Sequence, residues 1–299
     1  MRSQALRADL LMLLTAMIWG SSFVAQRLGM DSIGPFLYSG LRFALATLVL
    51  LPVLYALHYR ARHAPAPVLN RQLILGGVVM GLALTLGINL QQVGLLFTSV
   101  TNSGFITGLY VIIVPLLGLL LGHRAGLGIW LGASLAVVGM FLLSVGDGFQ
   151  VASGDWLQLA GAFIWGVHVL MVSFFATRHD PLRLAVVQFA TCAAISLLLA
   201  VLFEEIRIDA IIAAGPAILY GGLFGVAVGF TLQVIAQKHA IASHAAIILS
   251  LEAVFAAVAG ALLLGEALEL RGYFGCALML GGMFLAQLWP KKATPQTAL

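Results

Sequence analysis

Two charged side chains, Arg42 and Glu252, lie well inside long apolar stretches of the sequence. A charge near the centre of a bilayer costs about 2.5–3.5 kcal/mol on insertion scales, so each of these residues needs a compensating role. At about 1.5 Å per helical residue, Arg42 lies roughly 10 Å and Glu252 roughly 14 Å from the nearer end of its stretch. Two hypotheses remain open. The groups form an ion pair or separate structural pairings, or they face an internal cavity and bind opposite charges of a small molecule.

A Trp-Gly pair occurs in two of the apolar stretches, at Trp19-Gly20 and at Trp165-Gly166. Trp19 is about eleven residues into its stretch, which is too deep for the interfacial aromatic belt. A large ring beside a glycine lets a helix present a flat apolar wall while a neighbouring helix comes close. Ser22 and His168 follow the two rings by three residues and therefore share their helix faces. The pattern predicts that both rings line a central cavity; ordinary core packing is the alternative.

Uncharged polar side chains inside the apolar stretches are the remaining candidates for chemistry. Each can be an interhelical hydrogen-bonding group or a cavity contact, and together they indicate a partly hydrated, mostly uncharged passage. The set comprises Tyr38, Asn89, Gln91, Gln92, Asn102, Tyr110, Gln188 and Gln233. The candidates for the cavity are Trp19, Ser22, Arg42, Asn89, Tyr110, Trp165, His168, Gln188, Gln233 and Glu252.

Catalytic and cofactor-binding signatures are missing from the sequence. The seven histidines show no ligand spacing, and the two cysteines, Cys192 and Cys276, both lie in apolar stretches. This pattern predicts neither a metal site nor a disulfide framework. No Walker loop, HExxH motif or nucleophile elbow occurs, so no enzyme activity and no cofactor are predicted.

The elements that must position these residues follow from composition. Of 299 residues, 62% are hydrophobic and 9% are charged, whereas a soluble domain carries about 25% charged residues. Ten continuous apolar stretches each approach the roughly 20 residues that cross a bilayer. Because a lipid-facing backbone must satisfy its own hydrogen bonds, the sequence predicts an all-α integral membrane protein with ten transmembrane helices. The predicted spans are 9–27, 35–57, 72–95, 101–121, 127–145, 155–176, 183–203, 211–236, 243–264 and 270–289.

The basic residues predict the orientation of these spans. With both termini placed inside, eleven Lys and Arg residues lie in inside segments and three in outside segments. This asymmetry over short loops predicts that both termini are cytoplasmic. The net charge of +4 then reflects topology rather than nucleic-acid binding. The first span lacks a small-x-small cleavage site, so a mature helix rather than a signal peptide is predicted.

An internal repeat divides the chain. Trp19 and Trp165 are 146 residues apart, Gly77 and Gly221 are 144 apart, and the sequences LLLGH and LLLGE, which end at His123 and Glu266, are 143 apart. The predicted units are a first five-helix repeat, 1–147, a second, 148–290, and a short cytoplasmic tail, 291–299. Because five is odd, the second repeat enters the membrane from the opposite face. Such inverted repeats are typical of secondary transporters, with the substrate site near the midplane.

The sequence resembles the EamA-like branch of the drug/metabolite transporter superfamily. The resemblance covers roughly residues 8–288 and rests on both Trp-Gly pairs, YVIIVPLLGLLLG (110–122) and LEAVFAAVAGALLLGE (251–266). Within that branch it is most similar to the YddG-type amino acid exporters. The sequence departs from the family pattern at Ala253, where a proline often follows the glutamate, and at His123, where the first repeat lacks an acidic residue.

The resemblance implies a secondary transporter of the cell inner membrane that exports amino acids, aromatic ones included, or related small metabolites by alternating access. Its partners would be the small-molecule substrate and the lipid bilayer, with Glu252 as the candidate for proton coupling and facilitated diffusion as the alternative. Arg42 and Glu252 would then contact the substrate carboxylate and ammonium. The alternatives are a multidrug or cationic-amine exporter of the same fold, a nucleotide-sugar exporter, and a non-transporting membrane subunit. A single buried arginine disfavours nucleotide sugars.

Overall fold

The computed structural model describes residues 2–60, 70–122, 125–144, 152–266 and 269–289. All regular structure in these ranges is helical. The helices are α1 Arg2–Gly29, α2 Pro35–Arg60, α3 Arg71–Gly94, α4 Val100–Gly108, α5 Tyr110–Leu120, α6 Leu127–Ser144, α7 Ser153–Ala176, α8 Pro181–Phe203, α9 Ile208–Ala213, α10 Gly215–Tyr220, α11 Thr231–Gln237, α12 Ala242–Leu249, α13 Glu252–Leu264 and α14 Leu270–Leu288. A 3₁₀ turn, Leu95–Phe97, follows α3, and a π-helical segment, Gly221–Phe230, joins α10 to α11.

The predicted helical class and the positions of the spans agree with this structure. Eight helical stretches in the described ranges are long and apolar enough to cross a membrane, and two further apolar helices, Leu127–Leu142 and Leu270–Ala286, are shorter. All ten coincide with predicted spans, but the total of ten membrane crossings remains a prediction. The boundary between the two repeats at 147/148 and the tail 291–299 lie outside the described residues.

Two of the predicted spans are interrupted near their middle. The span 101–121 breaks at Leu109 into α4 and α5, and the span 243–264 breaks at Ser250 and Leu251 into α12 and α13. At each break the backbone tightens locally: Leu109 N–H donates to Ile106 O at 3.1 Å, and Leu251 N–H donates to Ile248 O at 3.2 Å. Such 3₁₀ tightening inside a helix often marks a functional hinge. The 143-residue register pairs Leu109 with Glu252, so the breaks lie at equivalent depths of the two repeats.

The helices pack as two related sets of five segments. α1 of the first repeat packs on α13 of the second, and the equivalent pair with the repeats exchanged is α7 on α5. In the same way α3 packs on α7, and its equivalent in the second repeat, the π segment, packs on α1. The pairs α2 with α8 and α6 with α14 each join one segment to its own counterpart. The segments of one repeat therefore lie mainly against those of the other, as expected if a site forms between the two repeats.

Both Trp-Gly pairs bring a helix close to an interrupted segment of the other repeat. A Cβ added at Gly20 would lie 2.7 Å from both Glu252 O and Ala256 N, and one at Gly166 would lie 2.7 Å from Ile113 Cγ2. The backbone of α13 therefore requires glycine at position 20, whereas at position 166 an added Cβ would displace a side chain of α5. Close approach through small residues is a common means of helix association in membranes.

We expect Gly20→Ala to destabilise the protein, because the new methyl group meets the backbone of α13, which cannot rotate away. Overpacking of this kind costs about 1–3 kcal/mol. The matched control is Gly281→Ala in α14, where an added Cβ meets nothing within 4 Å. Thermal unfolding in detergent should show a lower Tm for Gly20→Ala only. Equal Tm values for the two variants would contradict the close packing of α1 on α13.

Candidate functional site

A cavity of about 40 Å³ lies between the two repeats and is lined from both of them. Because a buried water needs roughly 10–15 Å³ on this scale, the cavity holds a few water molecules at most. Seven of the ten predicted candidates line it: Trp19, Ser22, Arg42, Tyr110, Trp165, Gln233 and Glu252. The side chains come from α1, α2, α5, α7, α11 and α13, so no single element forms the site.

The two tryptophans face each other across one phenylalanine. The ring centroid of Phe230 lies 4.5 Å from that of Trp19 and 5.8 Å from that of Trp165, with the second pair stacked at an interplanar angle of 23°. The Trp19 Nε1–H donates to Gly225 O at 3.1 Å, whereas the buried Trp165 Nε1 has no hydrogen-bond partner. The cavity wall is thus an aromatic cluster built from α1, α7 and the end of the π segment.

Arg42 and Glu252 both line the cavity, but they do not pair with each other. Arg42 Nη2 donates to Gln92 Oε1 at 3.1 Å and to Gln26 Oε1 at 3.3 Å, and its buried Nε has no partner. The guanidinium also lies 5.1 Å from the Tyr38 ring centroid. The predicted alternative of an Arg42–Glu252 ion pair is therefore not formed in this structure. Its place is taken by neutral amide acceptors.

Glu252 is the first residue of α13 and is 3% exposed. Its carboxyl group lies beside the Tyr110 hydroxyl, but neither Oε1 nor that hydroxyl makes a hydrogen bond of good geometry, and both are buried. Tyr110 is likewise the first residue of α5, so the two interrupted segments each place a polar side chain at the cavity. Because the partial positive end of a helix dipole favours negative charge, the start of α13 suits a carboxylate.

The other three predicted candidates lie away from the cavity lining. His168 and Gln188 pair through Nε2 and Oε1 at 3.0 Å, and the His168 ring lies edge-on to Trp165 at 5.7 Å, outside the cavity wall. Asn89 donates from Nδ2 to Ser196 Oγ at 2.9 Å and lines a separate apolar groove between α3 and α8. Asn89 is thus an interhelical hydrogen-bonding residue here, which was the alternative reading of its position.

A metal role is not assigned to any of these side chains. Within the described ranges, no group of three or more His, Cys, Asp or Glu side chains could hold a metal ion.

The sequence model of the EamA-like transporter family matches residues 6–145 and 152–288. The chain belongs to this family. It is therefore a multi-pass membrane transporter rather than an enzyme.

Relatives of this EamA-like protein carry equally general descriptions. An uncharacterized transporter of Archaeoglobus fulgidus is 33% identical over 295 residues, covering 95% of this chain and 86% of the relative. An uncharacterized protein of Pseudomonas aeruginosa is 31% identical over 188 residues, covering 62% of this chain and 63% of the relative. A protein crystal structure, 20% identical, aligns with 94% of this chain and 96% of its own at a TM-score of 0.75. That similarity shows a shared fold.

Several residues that line the cavity of this EamA-like transporter were not among the ten candidates chosen for it, although Gln91 belonged to the wider set of polar side chains. Gln91 donates to Thr107 Oγ1 at 2.9 Å, and both side chains reach the cavity together with Gln26 and Phe230. Gln26 lies inside the predicted first span, 9–27, but only one residue from its predicted end, where a polar side chain is unremarkable; α1 continues to Gly29. A phenylalanine inside an apolar run carries no distinguishing signal, so Phe230 could not be selected from sequence.

Proposed function

We propose that this protein is a secondary transporter that exports amino acids, aromatic ones included, across the cell inner membrane by alternating access. The observation that carries the proposal is that Arg42 and Glu252 line one cavity without pairing, beside the two indoles of Trp19 and Trp165. A zwitterion with an apolar side chain has the three complementary features. If the cavity served packing alone, there would be no reason for two unpaired charged side chains to line it.

Arg42 is suited to bind the substrate carboxylate. A buried cation is costly unless it is paired or fully hydrogen-bonded, and the two glutamine oxygens leave the Arg42 Nε without an acceptor. A planar guanidinium binds a carboxylate through two parallel hydrogen bonds. Gln26 and Gln92 then orient the Arg42 guanidinium and accept its hydrogen bonds when no substrate is bound.

Glu252 is suited to bind the substrate ammonium or a proton. The Tyr110 hydroxyl is a neighbour of the carboxyl group, but Oε1 accepts no hydrogen bond of good geometry, and in the part of the chain that the structure describes no Lys, Arg or His side chain forms an ion pair with it. An ammonium group would supply both the missing donor and the missing charge. A proton would supply them as well, so Glu252 also remains the candidate for proton coupling.

The helix breaks and the packing of the repeats support alternating access. The breaks at Leu109 and at Ser250–Leu251 lie at equivalent depths, and each adjoins a cavity-lining residue, Tyr110 or Glu252. Interrupted helices at the interface of two repeats are typical of secondary transporters. Movement of one repeat relative to the other at these points would open the cavity to one side and then to the other.

Both termini are proposed to be cytoplasmic. Ile206 and Ile241 are 46% and 59% exposed and lie at opposite ends of the bundle. In a background with Cys192→Ala and Cys276→Ala, an impermeant thiol reagent applied outside intact cells should label Ile206→Cys and leave Ile241→Cys unlabelled. The reverse labelling pattern would overturn the orientation.

Counterflow in proteoliposomes tests the proposed function. Vesicles that contain the purified protein and an excess of unlabelled phenylalanine should accumulate labelled phenylalanine, leucine and alanine transiently, while protein-free vesicles should not. A hydrophobic amine is the second candidate substrate, because Glu252 and the aromatic cluster would suffice for a cation with an apolar body. Counterflow of amines without counterflow of any amino acid would replace the proposed substrate class.

A further inference from the structure

We propose that Phe230 is a mobile aromatic plug that closes the substrate cavity and determines which side chains the cavity admits. The inference rests on the proposed function for the identity of the substrate, but the closure itself does not depend on it. Phe230 is 5% exposed and ends the π-helical segment Gly221–Phe230.

The position of the Phe230 ring is the first argument. The ring lies between Trp19 and Trp165, at 4.5 Å and 5.8 Å between centroids, in the space where an aromatic substrate would contact both indoles. Offset or tilted ring pairs at these distances are attractive, so the Phe230 ring makes favourable aromatic contacts with both indoles when no substrate is present. A substrate side chain can take that position only after the ring has moved.

The size of the cavity is the second argument. With the ring in place the free volume is about 40 Å³, enough for a few waters and too small for any amino acid with an apolar side chain. Arg42 and Glu252 are already exposed to this volume, so the charged ends of the site are formed while the apolar part is filled. Displacement of one ring would supply the missing space.

The backbone that carries Phe230 is the third argument. In the 144-residue register Phe230 corresponds to Leu86 of α3, which is α-helical and 51% exposed. A π-helix winds more residues into each turn than the 3.6 of an α-helix, so side chains after it face a different direction. The π segment therefore accounts for an aromatic ring inside the cavity where the first repeat directs a leucine outward.

The π segment also provides a means of movement. It contains Gly221, Gly222, Gly225 and Gly229 in ten residues, and helical glycines cost stability because they leave the backbone free. A change of this segment towards α-helical winding rotates Phe230 away from the indoles and opens the cavity.

A thiol reporter in the cavity tests the plug without any substrate. Ser22 lines the cavity and is 2% exposed, so the rate at which N-ethylmaleimide labels Ser22→Cys, in a Cys192→Ala and Cys276→Ala background in nanodiscs, reports how often the cavity opens. Because labelling scales with the open fraction, Phe230→Ala should raise the rate about ten-fold or more and Phe230→Leu by less. Phe230→Trp should lower it.

Phe189→Leu is the matched control for Phe230→Leu. Phe189 is fully buried and its ring lies 6.2 Å from that of Phe230, but it does not line the cavity. In the Phe189→Leu variant, the labelling rate of the cysteine at position 22 should equal that of the background. Equal rates for Phe230→Leu, Phe230→Trp and the background, in samples with wild-type Tm, would overturn the plug. An equal rise for Phe189→Leu and Phe230→Leu would overturn it too, because loosened packing would then explain both.

Counterflow measures the selectivity. Phe230→Leu should raise the flux of tryptophan relative to that of alanine, whereas an unchanged ratio would contradict the role of Phe230 in selection. If the wild-type protein transports no amino acid, the proposed function fails while the labelling result still decides the plug.

Discussion

Glu252→Gln is expected to leave the protein folded and to remove most of its amino acid flux. The amide has nearly the same volume as the carboxyl group but cannot carry a charge or a transported proton. Among the residues that the structure describes, none forms an ion pair with Glu252, so the substitution strands no cation and should not lower Tm. Loss of one member of a buried charge pair with the substrate costs about 2–5 kcal/mol, so counterflow should fall at least ten-fold.

The controls separate this role from a structural one. Glu205→Gln changes an exposed glutamate and should leave flux and Tm unchanged. If Glu252 carries the coupled proton, the residual flux of Glu252→Gln should also lose the pH dependence of the wild type. Poor folding of Glu252→Gln that is restored by adding Arg42→Gln would instead indicate an ion pair. A well-folded Glu252→Gln with wild-type flux at every pH would remove Glu252 from the site.

Alanine at either cavity tryptophan is expected to weaken transport of large apolar amino acids more than that of small ones. Trp19 and Trp165 come from opposite repeats and line the same cavity, so each loss removes one apolar wall. The ratio of kcat/KM for phenylalanine to that for alanine, measured by uptake into proteoliposomes, should fall about ten-fold, because an aromatic contact with its buried area contributes roughly 1.5–3 kcal/mol.

Phenylalanine should rescue the two positions unequally. Trp165→Phe loses no hydrogen bond, whereas Trp19→Phe loses the bond to Gly225 O, worth about 0.5–1.5 kcal/mol. Rescue should therefore be more complete at Trp165, both in Tm and in flux. Trp156→Ala, at a 66% exposed position, is the matched control and should change neither. Equal losses for small and large substrates at Trp19 and Trp165 would indicate packing alone.

The positions of the membrane-spanning helices along the chain could be predicted from sequence, because the thickness of the bilayer fixes the length of an apolar span. The repeat could be predicted as well, and its register pairs the glycines that end α5 and α13, Gly122 and Gly265, both with positive φ. The breaks at Leu109 and at Ser250–Leu251 could not, since the mean hydropathy of a whole span stays high across single polar or charged residues such as Ser250 and Glu252.

The lining of the cavity was less accessible to sequence reasoning, because hydropathy does not give the rotation of a helix. Trp19, Arg42 and Glu252 could be selected since bulk or charge at that depth needs a partner. Asn89 was a cavity candidate as a polar side chain inside a span, and it precedes Gln233 by 144 residues. The π segment intervenes in the second repeat only, so the two amides face different surroundings. The glycine-rich sequence GGLFGVAVGF was the one signal for that irregularity.

Competition by phenylalanine analogues that lack one charge is the most direct test of whether Arg42 and Glu252 bind a zwitterion. In counterflow with labelled phenylalanine, phenethylamine lacks the carboxylate that Arg42 would bind, and 3-phenylpropanoate lacks the ammonium that Glu252 would bind. We expect strong competition by unlabelled phenylalanine and weak competition by both analogues, because each analogue leaves either Arg42 or Glu252 without an opposite charge. Competition by phenethylamine as strong as that by phenylalanine would contradict recognition of a zwitterion.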